Sequence, residues 1–273
     1  MTPDLSGLVR IRASGLADLF DCPSRWEWRN LMGRSGPASA ASAMGTAIHA
    51  GAQAFDVARV QGSPIKPGDA AEATVQALRQ PAEEVDWEDT TPKQRERVAL
   101  TGLTLYCTTL APALQIVGVE VDVPPLPLPD LGIYLTGQPD RVVVTHKADG
   151  TATLAPGDIK TGKLAVDDNG RARTSGHMLQ LAQYAVMLEQ GLGQPVDGDP
   201  VIAGIGTGRE VRAGLGRINA DRARAALLGT DDEPGALQQA AHIIRAGVFQ
   251  ANPRSMICTQ KYCPRYSACR FHD

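Results

Sequence analysis

No stretch of the sequence is long and apolar enough to span a membrane, and the opening residues, MTPDLSGLVRIRASG, lack the apolar core of a signal peptide. The expectation is a cytoplasmic protein. Excess positive charge is also missing: 27 Lys and Arg against 30 Asp and Glu leave a formal net charge of -3, which argues against a chain that coats nucleic acid nonspecifically. An enzyme acting on DNA stays open, because it needs only a local basic lining. Cysteines number five, and in a cytosolic setting they are not expected to form structural disulfides, so their spacing carries more than their number. The remainder is ordinary: 43% hydrophobic and 21% charged residues over 273 positions can bury one large core or two modest ones.

The chemistry concentrates between Gly137 and Tyr184. Ile133–Thr145 and Thr151–Lys160 are rich in β-branched and apolar residues, with a turn signal at Asp149-Gly150, so they read as a β-hairpin. Pairing symmetric about Asp149 sets Asp140 opposite Asp158, on one face, with β-carbons roughly 5 Å apart. A tight two-residue turn would instead shift the register by one and send Asp158 to the other face. Two bare carboxylates that close repel, and a hard divalent cation such as Mg²⁺ or Mn²⁺ removes the repulsion. Lys160 lies two residues beyond Asp158 and shares its face. Two acids and an ammonium suit phosphodiester hydrolysis. On a following helix, from about Ser175 to Gln190, Gln180 and Tyr184 are four apart and could orient a phosphate or the lysine. Lys160, Lys163, Arg171, Arg173 and His177 supply the basic lining.

Elsewhere, a helix capped by Ser14 and running to about Leu31 is interrupted at Cys22-Pro23, by a kink or a break into two. Helical spacing resumes from Ala43 to about Val60 and includes His49. Thr91-Pro92 opens a helix to about Leu110, with Cys107 in its core. Ile116–Val123 is strand-like, ended by PPLPLPD, and Glu120 on it could face the site as a further acid, although an outward-facing charge is the commoner case. Val201–Gly206 is a further strand, and helices follow from Asn219 to Leu228 and from Glu233 to Ala246. In the tail, Cys258, Cys263 and Cys269 have metal-ligand spacing but are one short of a closed four-thiolate site, and Cys22 supplies the fourth.

Taken in order, Gly137-x-x-Asp140, Asp158-Ile159-Lys160 and Gln180-x-x-x-Tyr184 resemble the motifs of the PD-(D/E)xK nuclease superfamily, in its RecB-like and Cas4-like branch. The resemblance implies an α/β fold with a restriction-endonuclease-like core, a central mixed β-sheet flanked by helices. It implies one domain: a helical part over residues 1–114, a catalytic core over 115–215 and C-terminal helices with a cluster-binding tail over 216–273. It also implies that His49, in Gly45-x-x-x-His49, joins Asp140, Asp158 and the Ile159 carbonyl in binding Mg²⁺ or Mn²⁺. Lys160 would then position water, supported by Gln180 and Tyr184. One cysteine before the core and three after it resemble the clasp of Cas4 and AddB nucleases, where a 4Fe-4S cluster ties the chain ends. The tail departs from them in running Cys-x4-Cys-x5-Cys, and zinc on the same thiolates is the alternative. The function implied is a DNA exonuclease of recombination, repair or viral DNA processing, working beside an annealing protein or helicase. The competing reading is a nuclease-derived module that binds DNA or a protein and keeps its metal site for folding or redox sensing.

Overall fold

The computed structural model describes residues 3–88, 90–147 and 149–272. A short strand, β1 (Val9–Arg12), leads into two helices, α1 (Leu16–Asp21) and α2 (Pro23–Asn30). The break between them falls at Cys22, because Pro23 has no N–H to continue α1 and suits the first position of a new helix. Ser14 lies in a 3₁₀ turn and caps nothing. A two-residue strand, β2 (Ala38–Ser39), precedes the long helix α3 (Ala40–Val60), whose first turn is capped by the Ser39 hydroxyl. Next come α4 (Pro67–Arg79), β3 (Val85–Asp86) and α5 (Pro92–Leu105), the last opened by a reciprocal Thr91/Gln94 capping box. The expected continuation of α5 to Leu110 is a π-helical turn.

The sheets hold three departures from the sequence reading. The strand expected over Ile116–Val123 is β4 (Gln115–Val119), and PPLPLPD contains a strand of its own, β5 (Leu126–Leu128). The first arm of the expected hairpin is two strands, β6 (Ile133–Thr136) and β7 (Arg141–His146), which belong to different sheets. Pro139, between them, has no N–H to give to a ladder. After β7 come β8 (Ala152–Gly162), α6 (Met178–Leu192) and β9 (Val201–Thr207). The third departure is β10 (Val211–Arg217), whose glycines hide it from a propensity reading. Those glycines have a steric purpose: a Cβ at Gly214 would lie 2.2 Å from the Gly170 carbonyl and one at Gly216 would lie 2.7 Å from that of Ala172. The segment carrying Arg171 and Arg173 is thereby seated against the sheet. Helices α7 (Ala220–Leu228) and α8 (Ala236–Ala246) complete the fold.

The main sheet runs β10-β9-β8-β7-β4, with β8 and β9 parallel and the other neighbours antiparallel. On one face α3 and α5 pack over Ile159, Ala203 and Ile205, and on the other α6 and α7 pack over Val142 and Ile202. This is the mixed-sheet, helix-flanked α/β architecture of the restriction-endonuclease-like type. A second sheet, β1-β6-β5, joins the α6 side through Gln183, which is fully buried and donates to the carbonyls of Ile11 and Thr136. Among the described residues no helix is long and apolar enough to cross a membrane.

Candidate active site

The hairpin of β7 and β8 pairs Arg141 with Gly157 and His146 with Ala152, which is the register symmetric about Asp149, joined by residues 147–151. Continued by one residue it sets Asp140 opposite Asp158. There the ladder forks. β8 keeps pairing with β9 as far as Gly162, while β7 has ended at Arg141. The Ile159 N–H therefore donates not to a strand but to Asp140 Oδ2, at 2.8 Å. Asp158 is 3% exposed, and its Oδ2 stands 2.6 Å from Lys160 Nζ, a close charge-assisted pair. Burial, and then Asp140 beside it, push the Asp158 carboxyl up to about 7, against the pull of Lys160.

Two helices close on this fork from opposite faces of the sheet. From α3, His49 Nδ1 lies 3.3 Å from Asp140 Oδ2, and burial lowers the pKa of its imidazole, so the ring is neutral near pH 7. Gly45, one turn earlier, lets the helix approach β8: a Cβ there would lie 2.5 Å from Thr161 Oγ1. From α6, Gln180 accepts from Lys160 Nζ at 3.0 Å and gives its amide to Tyr184 Oη at 3.0 Å. Gly137 and Tyr184 meet directly, since a Cβ at 137 would stand 2.6 Å from the tyrosine ring. Gly137→Ala is thus expected to displace Tyr184 and, through Gln180, the lysine, slowing whatever chemistry the lysine serves roughly tenfold or more at a stability cost of about 1–3 kcal/mol. A variant that turns over at the wild-type rate would show that this contact positions nothing.

His49, Glu120, Asp140, Ile159 and Lys160 line one cleft of about 540 Å³. Glu120 takes the less favoured of the two orientations that the sequence allows, and faces the cleft. A bulge in β4 after Ile116 and a left-handed backbone at Glu120 (φ 46°) turn its carboxylate into the cleft, where burial and Asp140 raise its pKa. Lys163, Arg171 and Arg173 are exposed, and none of the three is among the residues that line the cleft. His177 is no part of that charge, because burial and Lys160 hold it down to about 4. Sequence reasoning also missed Asp56, Tyr106 and Arg141, buried behind the cleft and far apart in the chain.

Where the first and last parts of the chain meet, Cys22, Cys258, Cys263 and Cys269 line one small cavity together with His272, whose Nε2 is 3.1 Å from Cys258 Sγ. The ends of the chain are tied there by protein contacts as well. Buried Arg25 pairs with Asp18 and, at 2.6 Å, with Asp21, while Ser255 donates to Asp21 at 2.6 Å. Arg265 is committed to this clasp through Glu27 at 2.6 Å, and Lys261 to Glu88 at 2.8 Å. Cys107 lies in the core as expected, its thiol pushed up to about 12 by burial.

Among the described residues no three His, Cys, Asp or Glu side chains are already gathered into a ready-made metal site. Asp140 spends an oxygen on the Ile159 amide and Asp158 faces an ammonium. The donors nevertheless suit a hard divalent ion: the carboxylates of Asp140 and Glu120 and the imidazole of His49 line one cleft, with the buried Asp158 carboxylate beside Lys160 at its wall.

The family described as the PD-(D/E)XK nuclease superfamily matches residues 10–270. Among solved structures, the chain is similar to a crystal structure of a "Putative exonuclease" from Eubacterium rectale, with 15% identity, 87% of this chain and 77% of that chain covered, and a TM-score of 0.45. No curated protein matches the chain.

Proposed function

We propose that this chain, which belongs to the PD-(D/E)XK nuclease superfamily, is a Mg²⁺- or Mn²⁺-dependent DNA exonuclease of the RecB-like and Cas4-like branch. Asp158 carries the reading. A carboxylate 3% exposed beside Asp140 is costly to ionise, and the one ammonium of Lys160 does not offset two neighbouring carboxylates, so a further cation between them would lower the cost. His49, Asp140, Asp158 and the carbonyl of Ile159 would hold that cation, with Glu120 added from the cleft wall. When bound, the ion would supply Lewis acidity toward phosphate and water. Lys160 orients the attacking water and offsets charge developing on the phosphate. Gln180 fixes the ammonium and is itself fixed by Tyr184, so the lysine arrives already aimed. Lys163, Arg171 and Arg173 draw the DNA backbone to the cleft mouth.

The test is divalent-dependent digestion of 5′-labelled, 3′-labelled and circular DNA by anaerobically purified protein. Mononucleotide release from ends with circles left intact is the expected result. Nicked circles would make it an endonuclease, and intact DNA throughout would overturn the reading. We place the enzyme in recombination, repair or viral DNA processing, beside an annealing protein or helicase.

We assign a 4Fe-4S cluster to Cys22, Cys258, Cys263 and Cys269, which line one small cavity although they are not drawn together as closely as the ligands of a bound metal. Its part is to secure the clasp, since hydrolysis moves no electrons. Cys22→Ser is expected to lose bound iron and lower the melting temperature by several degrees, the Arg25 network still holding the ends. Cys107→Ser should leave iron unchanged. Zinc in place of iron and sulfide would overturn the cluster, and iron lost from Cys107→Ser would overturn the ligand set.

A further inference from the structure

We propose that Arg141 is a positioning residue: anchored behind the cleft by Asp56, it fixes Asp140 and Glu120 in the places from which they meet a divalent ion. The inference rests on the metal-centre reading above and adds residues that touch neither metal nor DNA. Asp56 is fully buried on α3, seven residues beyond His49 and so two turns along the same face. Its Oδ2 accepts from Arg141 Nε at 2.7 Å and also from the Tyr106 hydroxyl, while Oδ1 lies 3.3 Å from Arg59 Nη1. Arg141 is 2% exposed and opens β7 directly after Asp140.

The other end of its guanidinium reaches the cleft wall. Nη1 donates to the Asp140 carbonyl at 2.6 Å and lies 3.9 Å from Glu120 Oε1. That same carbonyl accepts from the Glu120 N–H at 2.9 Å, and the Glu120 carbonyl accepts from Gln138 at 3.1 Å. One fork thus joins the helix that carries His49, the start of β7 and the end of β4, the three elements that supply His49, Asp140 and Glu120. It holds Glu120 in its left-handed backbone.

Stability alone does not account for this arrangement. A buried ion pair adds little over a well-packed apolar pair of similar volume, and here Arg141 Nη2 is buried without a hydrogen-bond partner among the described residues. Planarity does account for it: a guanidinium sets two acceptors at fixed directions, which an apolar side chain or a lysine does not.

The double variant Asp56→Leu/Arg141→Met separates the two roles, because it swaps the pair for apolar volume. It is expected to stay folded, melting no more than several degrees below wild type because the Tyr106 hydroxyl and Arg59 also lose Asp56, while binding Mn²⁺ roughly tenfold more weakly by isothermal titration. At saturating Mn²⁺, kcat should fall about tenfold with KM for DNA unchanged, the split expected of a misplaced centre. A folded double variant with wild-type Mn²⁺ affinity would overturn the inference and leave the nuclease reading intact. Wild-type protein that binds no Mn²⁺ would bring down both. Should the double variant fail to fold by circular dichroism, Asp56→Asn, which keeps the shape and removes the charge, is read by the same titration and the same criterion.

Discussion

Lys160→Met is expected to slow DNA cleavage by roughly a thousandfold while leaving the melting temperature within a few degrees of wild type. The kinetic loss follows from where the ammonium sits. It is 23% exposed, 2.6 Å from Asp158 Oδ2 and 3.0 Å from Gln180 Oε1, at the point where α6 meets the fork of β8. His49 and His177 are both neutral near pH 7, and Arg141 is turned to Asp56 and the Asp140 carbonyl. Neither the histidines nor the arginine therefore takes over the charge. The small stability change has a separate origin: methionine keeps the length of the stem, and the ion pair it removes is opposed by the cost of burying Asp158. Mn²⁺ affinity should be unchanged or tighter, because the departing ammonium competes with the metal for Asp158. A variant that cleaves within tenfold of wild type would show that Lys160 is not the group that handles the water.

What the sequence reveals of this site is what local periodicity controls. A strand alternates its side chains every residue, so Asp158 and Lys160 share a face by arithmetic, and the symmetric register about Asp149 then brings Asp140 to them. Helical spacing does the same for Gln180 and Tyr184. Glu120 escapes that logic. Outward is the commoner place for a charge on a strand, so the sequence favours it, whereas the bulge after Ile116 and the left-handed backbone turn Glu120 inward. The Asp56–Arg141 pair escapes for another reason, since its members are 85 positions apart and join through packing of α3 on the sheet. The lost strand β10 is similar. Gly214 and Gly216 look like turn residues, yet they are there because the segment holding Gly170 and Ala172 lies against them. In the clasp, cysteine spacing is legible, whereas the Arg25 network that ties the same two ends depends on residues about 230 positions away.

Asp158→Asn should abolish cleavage and yet stabilise the metal-free protein above neutral pH. In the native chain, burial and the neighbouring Asp140 lift this carboxyl from 3.8 to about 7. Between those values the folded state binds more protons than the unfolded chain, so stability falls as the pH rises through that window, and above about 7 the full cost is present. Asparagine has the shape of the protonated acid and never ionises, which removes the cost. In EDTA at pH 8 the variant is therefore expected to melt higher than wild type, by on the order of 5 °C for a chain of this size. At pH 4 the difference should be nearly gone, because wild-type Asp158 is then protonated when folded and partly so when unfolded. Saturating Mn²⁺ should reverse the order at pH 8: metal held only by the folded wild type adds about 2.7 kcal/mol at a hundred times its dissociation constant, and the variant has lost the ligand that would collect it. Cleavage by the variant should be at least about a thousandfold slower at every pH, since its defect is a missing ligand rather than a shifted titration. A variant that melts below wild type in EDTA at pH 8 would mean that Asp158 is not held at a cost, and the case for a cation sharing its carboxylate would lose its physical ground.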